Sequence, residues 1–481
     1  MTNYPRSRSF SRRQALADMT NGFGTLALAA MLHQQSDAAT RPEVDFVSDP
    51  LAARLGHHAA RAKRVIFLFM PGGPSQVDLF DSKPLLHKRD GEKQTFVHPI
   101  SGRERTERLR RSPFKFSRHG QSGTPVSELF PEVARCVDDI AVINSMHADN
   151  VNHNGACLQM CTGEQAFSRP SMGAWLLHGL GTENQNLPGF VAISPNQPAQ
   201  GAPLWGSSFL PAAFQGTFVQ DLDNPIRNIG NERFSSTSQR TQLDLLGKLN
   251  GLHKEQNPAE SVLDARIAAF ELAFRMQQQA PEAFGRSQQT LATQQAYGLD
   301  NPVTEIFGRQ CLLARQLVER DVRMVMLFHT KSSVASACQL WDHHTKVEPG
   351  LIDTCAATDK PIAALLTDLK QRGLLQDTLV VWSGEFGRTP TTEGEKGTGR
   401  GHHPFGFTTW LAGGGIKGGI VHGTSDEFGW HAAEDKVHVH DLHATILHLM
   451  GLDHKRLTYR FGGRDFRLTD VSGSVVKSLF T

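Results

Sequence analysis

The chain has few of the features that would decide its function at once. Its six cysteines, Cys136, Cys157, Cys161, Cys311, Cys338 and Cys355, include no Cys-x-x-Cys pair, which argues against a thiolate zinc site. The amino-terminal apolar run, Phe23 to Leu32, is too short to cross a bilayer, so no transmembrane segment is expected in the mature protein. Net charge is only +2 over 481 residues, so nothing pulls the chain toward nucleic acid or an anionic membrane. No Gly-x-Ser-x-Gly elbow, Walker motif or His-Glu-x-x-His occurs, which removes three common catalytic frameworks. Gly413 to Gly418 does spell Gly-x-Gly-x-x-Gly. The residues that follow, Ile420-Val421-His422-Gly423, do not start a helix, and a dinucleotide site requires one. A tight glycine turn is expected there instead.

What is present is histidine. There are 22, and nine of them lie beyond residue 400, a bias that makes metal binding worth testing. A hydrophobic content of 39% over this length allows a large core. Cys157 and Cys161 are four apart on an expected helix and read as buried thiols on one face. A bridge between Cys338 and Cys355 is left open, since it depends on the redox compartment.

The organisation reads as follows. Ser11-Arg12-Arg13, the modest apolar run and Ala38-Ala39 resemble a twin-arginine export signal, so residues 1–60 are expected to be signal and linker. A periplasmic or secreted location follows as an expectation. Residues 61–470 read as one domain and 471–481 as a tail. Val65–Met70, Ile140–Ile143, Phe190–Ile193, Val322–Phe328, Thr378–Trp382 and Thr408–Ala412 are short apolar runs that predict buried strands. Helices are expected over about 154–162, 171–180, 303–320, 353–372 and 439–449, the last with Asp441 as N-cap. Residues 82–125 read as a surface excursion and 195–300 as an insertion or cap. Strand, helix and strand at this spacing predict an α/β fold with a parallel sheet and right-handed crossovers.

The chemistry-bearing residues sit just past strand ends, where open α/β sheets bind ligands. Glu385 and Arg388 follow the Thr378 strand, and His402 and His403 come soon after. Asp342 and His344 follow the Val322 strand. His153 stands where a helix should begin, a position that favours anions. Carboxylate and imidazole donors together suit zinc, manganese or iron, so Asp342, His344, Glu385, His402 and His403 are candidate ligands of a divalent metal ion. Arg388, with its planar fork, is the candidate for holding an anionic substrate.

Several motifs resemble those of the bacterial domain-of-unknown-function family 1501. They are Gly72-Gly73-Pro74-Ser75, Met160-Cys161-Thr162-Gly163, Trp341-Asp342-x-His344, Val380 through Pro390, Gly401-His402-His403-Pro404, Val437 through Thr445, and Leu457 through Asp465. The resemblance implies an exported protein of the alkaline phosphatase and sulfatase superfamily, with a three-layer sandwich around a mostly parallel sheet. It also implies chemistry on a small phosphate or sulfate ester. By motif, Asp342 and His344 resemble the Asp and His of the first metal, and His402 or His403 its later histidine. Glu385 lies where the Asp of an Asp-His pair belongs, and His153 where the nucleophile belongs. Two departures stand out: Phe386 replaces the histidine of that pair, and Pro71-Gly72-Gly73 replaces the aspartate that ends the first strand. Three outcomes remain open: a one-metal hydrolase using His153 and Arg388, a degenerate member with a binding role, or an ester hydrolase built on Ser75.

Overall fold

In the computed structural model, the described residues are 50–98, 101–198, 200–226, 233–256, 270–277, 282–285, 289–330, 340–394 and 397–481. The twin-arginine segment and Cys338 lie outside them. In chain order the strands used below are β1 (Arg64–Phe69), β2 (Lys93–Val97), β3 (Glu104–Arg108), β4 (Ile140–His147), β5 (Phe190–Ile193), β6 (Thr217–Val219), β7 (Met324–Phe328), β8 (Thr378–Ser383), β9 (Phe407–Ala412), β10 (Ile420–His422) and β11 (Val437–His438). The helices are α1 (His153–Thr162), α2 (Met172–Leu180), α3 (Glu305–Val318), α4 (Val347–Gln371) and α5 (Val439–Leu449).

The apolar runs form a central sheet in the order β10-β4-β9-β8-β1-β7-β5-β6, with β11 pairing onto β4. Its neighbours are parallel except around β9, which runs antiparallel to both β8 and β4. Both faces are buried, and alternate residues of β1 enter two separate cores. Ile66 and Leu68 pack with α3 and α4 residues such as Leu317 and Leu365. Val65, Phe67 and Phe69 pack with α1, α2 and α5 residues such as Met160, Trp175 and Ile446. A sheet covered on both sides in this way is a three-layer α/β sandwich, and double coverage is why its strands are continuously apolar.

Some segments differ from the sequence reading. Residues 82–125 hold the β2–β3 hairpin and a second antiparallel pair, Phe116–His119 with Thr124–Ser127. The region 195–300 contributes the sheet's edge strand β6 as well as the helix Ser236–Gln256. Asp441 is not the N-cap of α5; that position belongs to His438, and Asp441 sits at N3 and accepts from the His438 backbone N–H, closing a capping box. The run 471–481 returns to the body, where Leu479 is fully buried.

Because β1, β4, β7 and β8 run the same way, their carboxyl ends share one edge. Pairing places Phe69 beside both Ser383 and Phe328, so the loops after β1, β8 and β7 start side by side.

Candidate metal centre

The loop after β1 turns through Gly72 and Gly73, both at positive φ (115° and 77°). A Cβ on Gly72 would lie 2.5 Å from the Asp342 backbone nitrogen, and one on Gly73 would meet the Phe386 ring at 2.7 Å. Glycine there is what lets the three loops close on one another. The loop after β4 leads into α1, whose N-cap Asn152 accepts from the Asn154 N–H. Gly163 ends α1 in the left-handed conformation. His153 is therefore held at the first position of a fixed helix.

Four side chains converge at the edge. One ligand atom from each of His153, Asp342, His344 and His402 lies within 4.8 Å of every other. His344 Nε2 is 2.8 Å from Asp342 Oδ1, and His402 Nε2 is 3.3 Å from the same oxygen. His153 Nε2 is 3.3 Å from Asp342 Oδ2, and the two imidazole Nε2 atoms of His344 and His402 are 2.9 Å apart.

The far side of each ring is held by an acceptor. His153 Nδ1 meets Glu385 Oε1 at 2.5 Å, His402 Nδ1 meets the Val151 carbonyl at 2.9 Å, and His344 Nδ1 meets the Glu393 carboxylate. A carbonyl or carboxylate only accepts, so each Nδ1 carries a proton and each Nε2 is turned inward. Three imidazole Nε2 atoms and a carboxylate then face one another. The buried Nε2 of His153 makes no well-aligned hydrogen bond, its nearest acceptor being Asp342 Oδ2 at 3.3 Å. Such a cluster attracts a cation, either a proton or a metal ion. With no metal ion among the donors, a proton on His153 answers that attraction. Burial lowers the His153 pKa, but the carboxylates of Asp342 and Glu385 outweigh it and raise the value to about 9. Burial likewise opposes ionisation of Asp342, yet His153, His402 and Arg388 hold it far below the usual carboxylate range. Imidazoles fixed by second-layer acceptors are the common construction of a metal site, and this donor set fits one divalent ion.

The nominated residues thus fall into two groups. Asp342, His344, His402 and His153 come together. Glu385 stands behind them, fully buried, with Gly72 N–H at 2.9 Å and His153 as its partners. His403 points away: it lies on the two-residue strand with His402, where successive side chains face opposite sides. Its Nε2 meets the Trp430 carbonyl, and burial lowers its pKa to about 4. Arg388, expected to hold a substrate anion, is 1% exposed and donates to the carbonyls of Gly72, Gly73 and Arg400 and to Asp342. Its guanidinium ties the loops together and has no free edge to offer. Ser75 Oγ is buried and donates to Asp78 Oδ2 at 2.5 Å, and no hydrogen bond links it to a histidine among the described residues. Phe386 forms an apolar wall, with its ring centre 4.9 Å from that of His153 and 4.8 Å from that of His402. Sequence reading did not single out Glu393 or the Val151 carbonyl, and nothing in their local pattern marks them.

A cleft of about 250 Å³ opens onto His344 and His402. Its other walls include Thr389, Glu393, Phe405 and residues of the β2–β3 hairpin. No helix among the described residues is long and apolar enough to cross a membrane.

Comparison with known proteins gives one strong match and several remote ones. Among solved structures, the PsFucS1 sulfatase from Pseudoalteromonas sp. is 13% identical, with 82% of this chain and 68% of that one covered and a TM-score of 0.34. The lipoteichoic acid synthase LtaP from Listeria monocytogenes is 10% identical, covering 87% and 78%, with a TM-score of 0.34. Alkaline phosphatase from the Antarctic bacterium TAB5 is 10% identical, covering 81% and 98%, with a TM-score of 0.31. No curated protein sequence matches. A family model does match residues 62–480, nearly the whole described body, and the chain accordingly belongs to the family of proteins of unknown function DUF1501.

Proposed function

We propose that this protein is an exported, metal-dependent hydrolase of a small anionic phosphate or sulfate ester, with one divalent ion held by His153, Asp342, His344 and His402. The observation that carries the proposal is the inward convergence of these four donors, with every Nδ1 held from behind. Zinc, manganese and iron all suit such donors. When bound, the ion would supply Lewis acidity to an ester oxygen and bring the pKa of water toward neutrality. The chain's own residues do the rest. Glu385, Glu393 and the Val151 carbonyl fix ring orientation and tautomer. Arg388 orients Asp342 and offsets its charge. Phe386 keeps water from the His153 side, while His344, 33% exposed, faces the cleft. The geometry favours His153 as a ligand over its use as a nucleophile. The twin arginines at Arg12 and Arg13 support export of the folded chain.

One observation favours a second reading, a binding protein that has lost its chemistry. Four protein ligands close a tetrahedral zinc shell and leave no open position, whereas a metal of higher coordination number keeps one. Metal analysis of the purified protein, combined with a phosphate- and sulfate-ester panel, separates the two. About one ion per chain, with turnover lost in Asp342→Ala together with the metal, supports hydrolysis. A bound ion without turnover of any ester supports the binding role, and absence of metal removes both.

A further inference from the structure

The cleft beside the metal ligands carries one arginine or lysine among its described lining residues, Arg105 on β3. Its placement follows from the hairpin. Arg105 is directly opposite Phe96 on β2, so the two side chains emerge on the same face. Phe96 stacks on Trp430 with ring centres 4.1 Å apart and planes at 15°. That face of the ribbon is therefore turned toward the protein at Phe96, with Arg105 exposed at the edge of the cleft. Two residues along, Glu107 accepts from Thr391 Oγ1 at 2.5 Å, and Leu109 bridges to Thr391. The hairpin is thus pinned to the loop that carries Arg388 and Glu393.

Arg105 differs from Arg388 in what its guanidinium meets. Arg388 is saturated by carbonyls and Asp342. Among the described residues, the Arg105 side chain has no hydrogen bond, ion pair or ring contact. A planar fork left open at the rim of a cleft, beside a cluster that attracts a cation, is suited to two oxygens of one tetrahedral anion.

We propose that Arg105 is the specificity residue of the cleft and binds the phosphate or sulfate group of the substrate across from the Asp342 cluster. Its catalytic meaning rests on the hydrolase reading; oxyanion binding does not. The cleft's volume of about 250 Å³ lies below the roughly 300–1,000 Å³ usual for drug-sized ligands, so the ester is compact around its anionic group.

The test uses the full protein loaded with manganese(II), as wild type, Arg105→Gln and Arg105→Lys. Each is titrated calorimetrically with inorganic phosphate and, separately, with sulfate. Arg105 is exposed on a two-stranded ribbon, so neither change disturbs the core. Manganese affinity is expected to stay unchanged. Affinity for at least one oxyanion is expected to fall about 10-fold or more in Arg105→Gln, and less in Arg105→Lys. Whichever anion responds identifies the ester class. Equal oxyanion affinity in wild type and Arg105→Gln overturns the assignment, as does failure of the wild type to bind either anion. If oxyanion binding depends on Arg105 but no ester is turned over, the hydrolase reading fails and this assignment stands. If esters are hydrolysed with a KM indifferent to Arg105, the reverse holds.

Discussion

The two ends of helix α1 are both surrounded by histidines, and they are built for opposite purposes. At its start, His153 joins His344, His402 and Asp342, with Nδ1 of each ring held and Nε2 turned inward. At its end, α5 sends His440 and His443 to the helix carbonyls. His443 Nε2 meets the Met160 carbonyl at 2.8 Å, and His440 Nε2 meets that of Gly163 at 2.9 Å. The last carbonyls of a helix lack internal partners, so these imidazoles cap it. Burial lowers the His443 pKa to about 3, which keeps it neutral. His438 is used up twice, as N-cap of α5 and as partner of Asp149. Histidine density alone therefore does not mark a metal site. What distinguishes the two ends is whether the second-layer acceptors leave the inward nitrogens free.

The change expected to break this contrast most is Glu385→Gln. It preserves shape and keeps an acceptor for the Gly72 N–H, but removes the charge behind His153. Loss of such a partner weakens metal binding about 10- to 100-fold. Competition with a chelating dye measures this directly. An unchanged affinity would mean that Glu385 only shapes the loop and that the site at this end is not organised from behind.

A smaller and different effect is expected at the other end. His443→Leu leaves the buried Met160 carbonyl without its donor, while also deleting a buried Nδ1 that has no partner. The net cost is about 1 kcal/mol, at the low end for an unmade buried hydrogen bond. Urea unfolding should show that loss with metal stoichiometry unaltered. A drop in metal content would join the two ends functionally and dissolve the distinction drawn between them.

Much of the framework was legible because burial on both faces leaves a simple trace. Thr378 to Trp382 and Val65 to Met70 are apolar without alternation, which is what a doubly covered parallel strand requires. Gly163 announced the end of α1 by its conformational freedom. The β2–β3 hairpin was not legible, because Lys93–Val97 is a largely exposed ribbon in which only Phe96 is buried. Side-chain roles were harder still. An arginine past a strand end looks the same in sequence whether it meets solvent or, as Arg388 does, a set of backbone carbonyls. His402 and His403 are identical neighbours, and only strand pleating separates the one that faces the site from the one that faces Trp430. Glu393 and Val151 act through tertiary proximity, which no local pattern records.

The smallest effect concerns the link between the two ends, the loop after β4. Asp149 accepts from His438 Nε2 at 3.0 Å and also from Gln159. The His438 hydrogen bond, against the opposing effect of partial burial, lowers its pKa from 3.8 to about 2. A carboxylate with a depressed folded-state pKa stabilises the fold above its unfolded value, and that contribution is lost as pH falls through the folded value. The stability difference between wild type and Asp149→Asn should therefore be fully present above about pH 4 and shrink toward pH 2. Asp149 is 45% exposed, so solvent screening keeps the difference small. Urea midpoints at pH 5, 3 and 2 decide the matter. A difference that does not change with pH would show that Asp149 holds the loop by shape alone. A difference that grows on acidification would reverse the sign of the His438–Asp149 coupling.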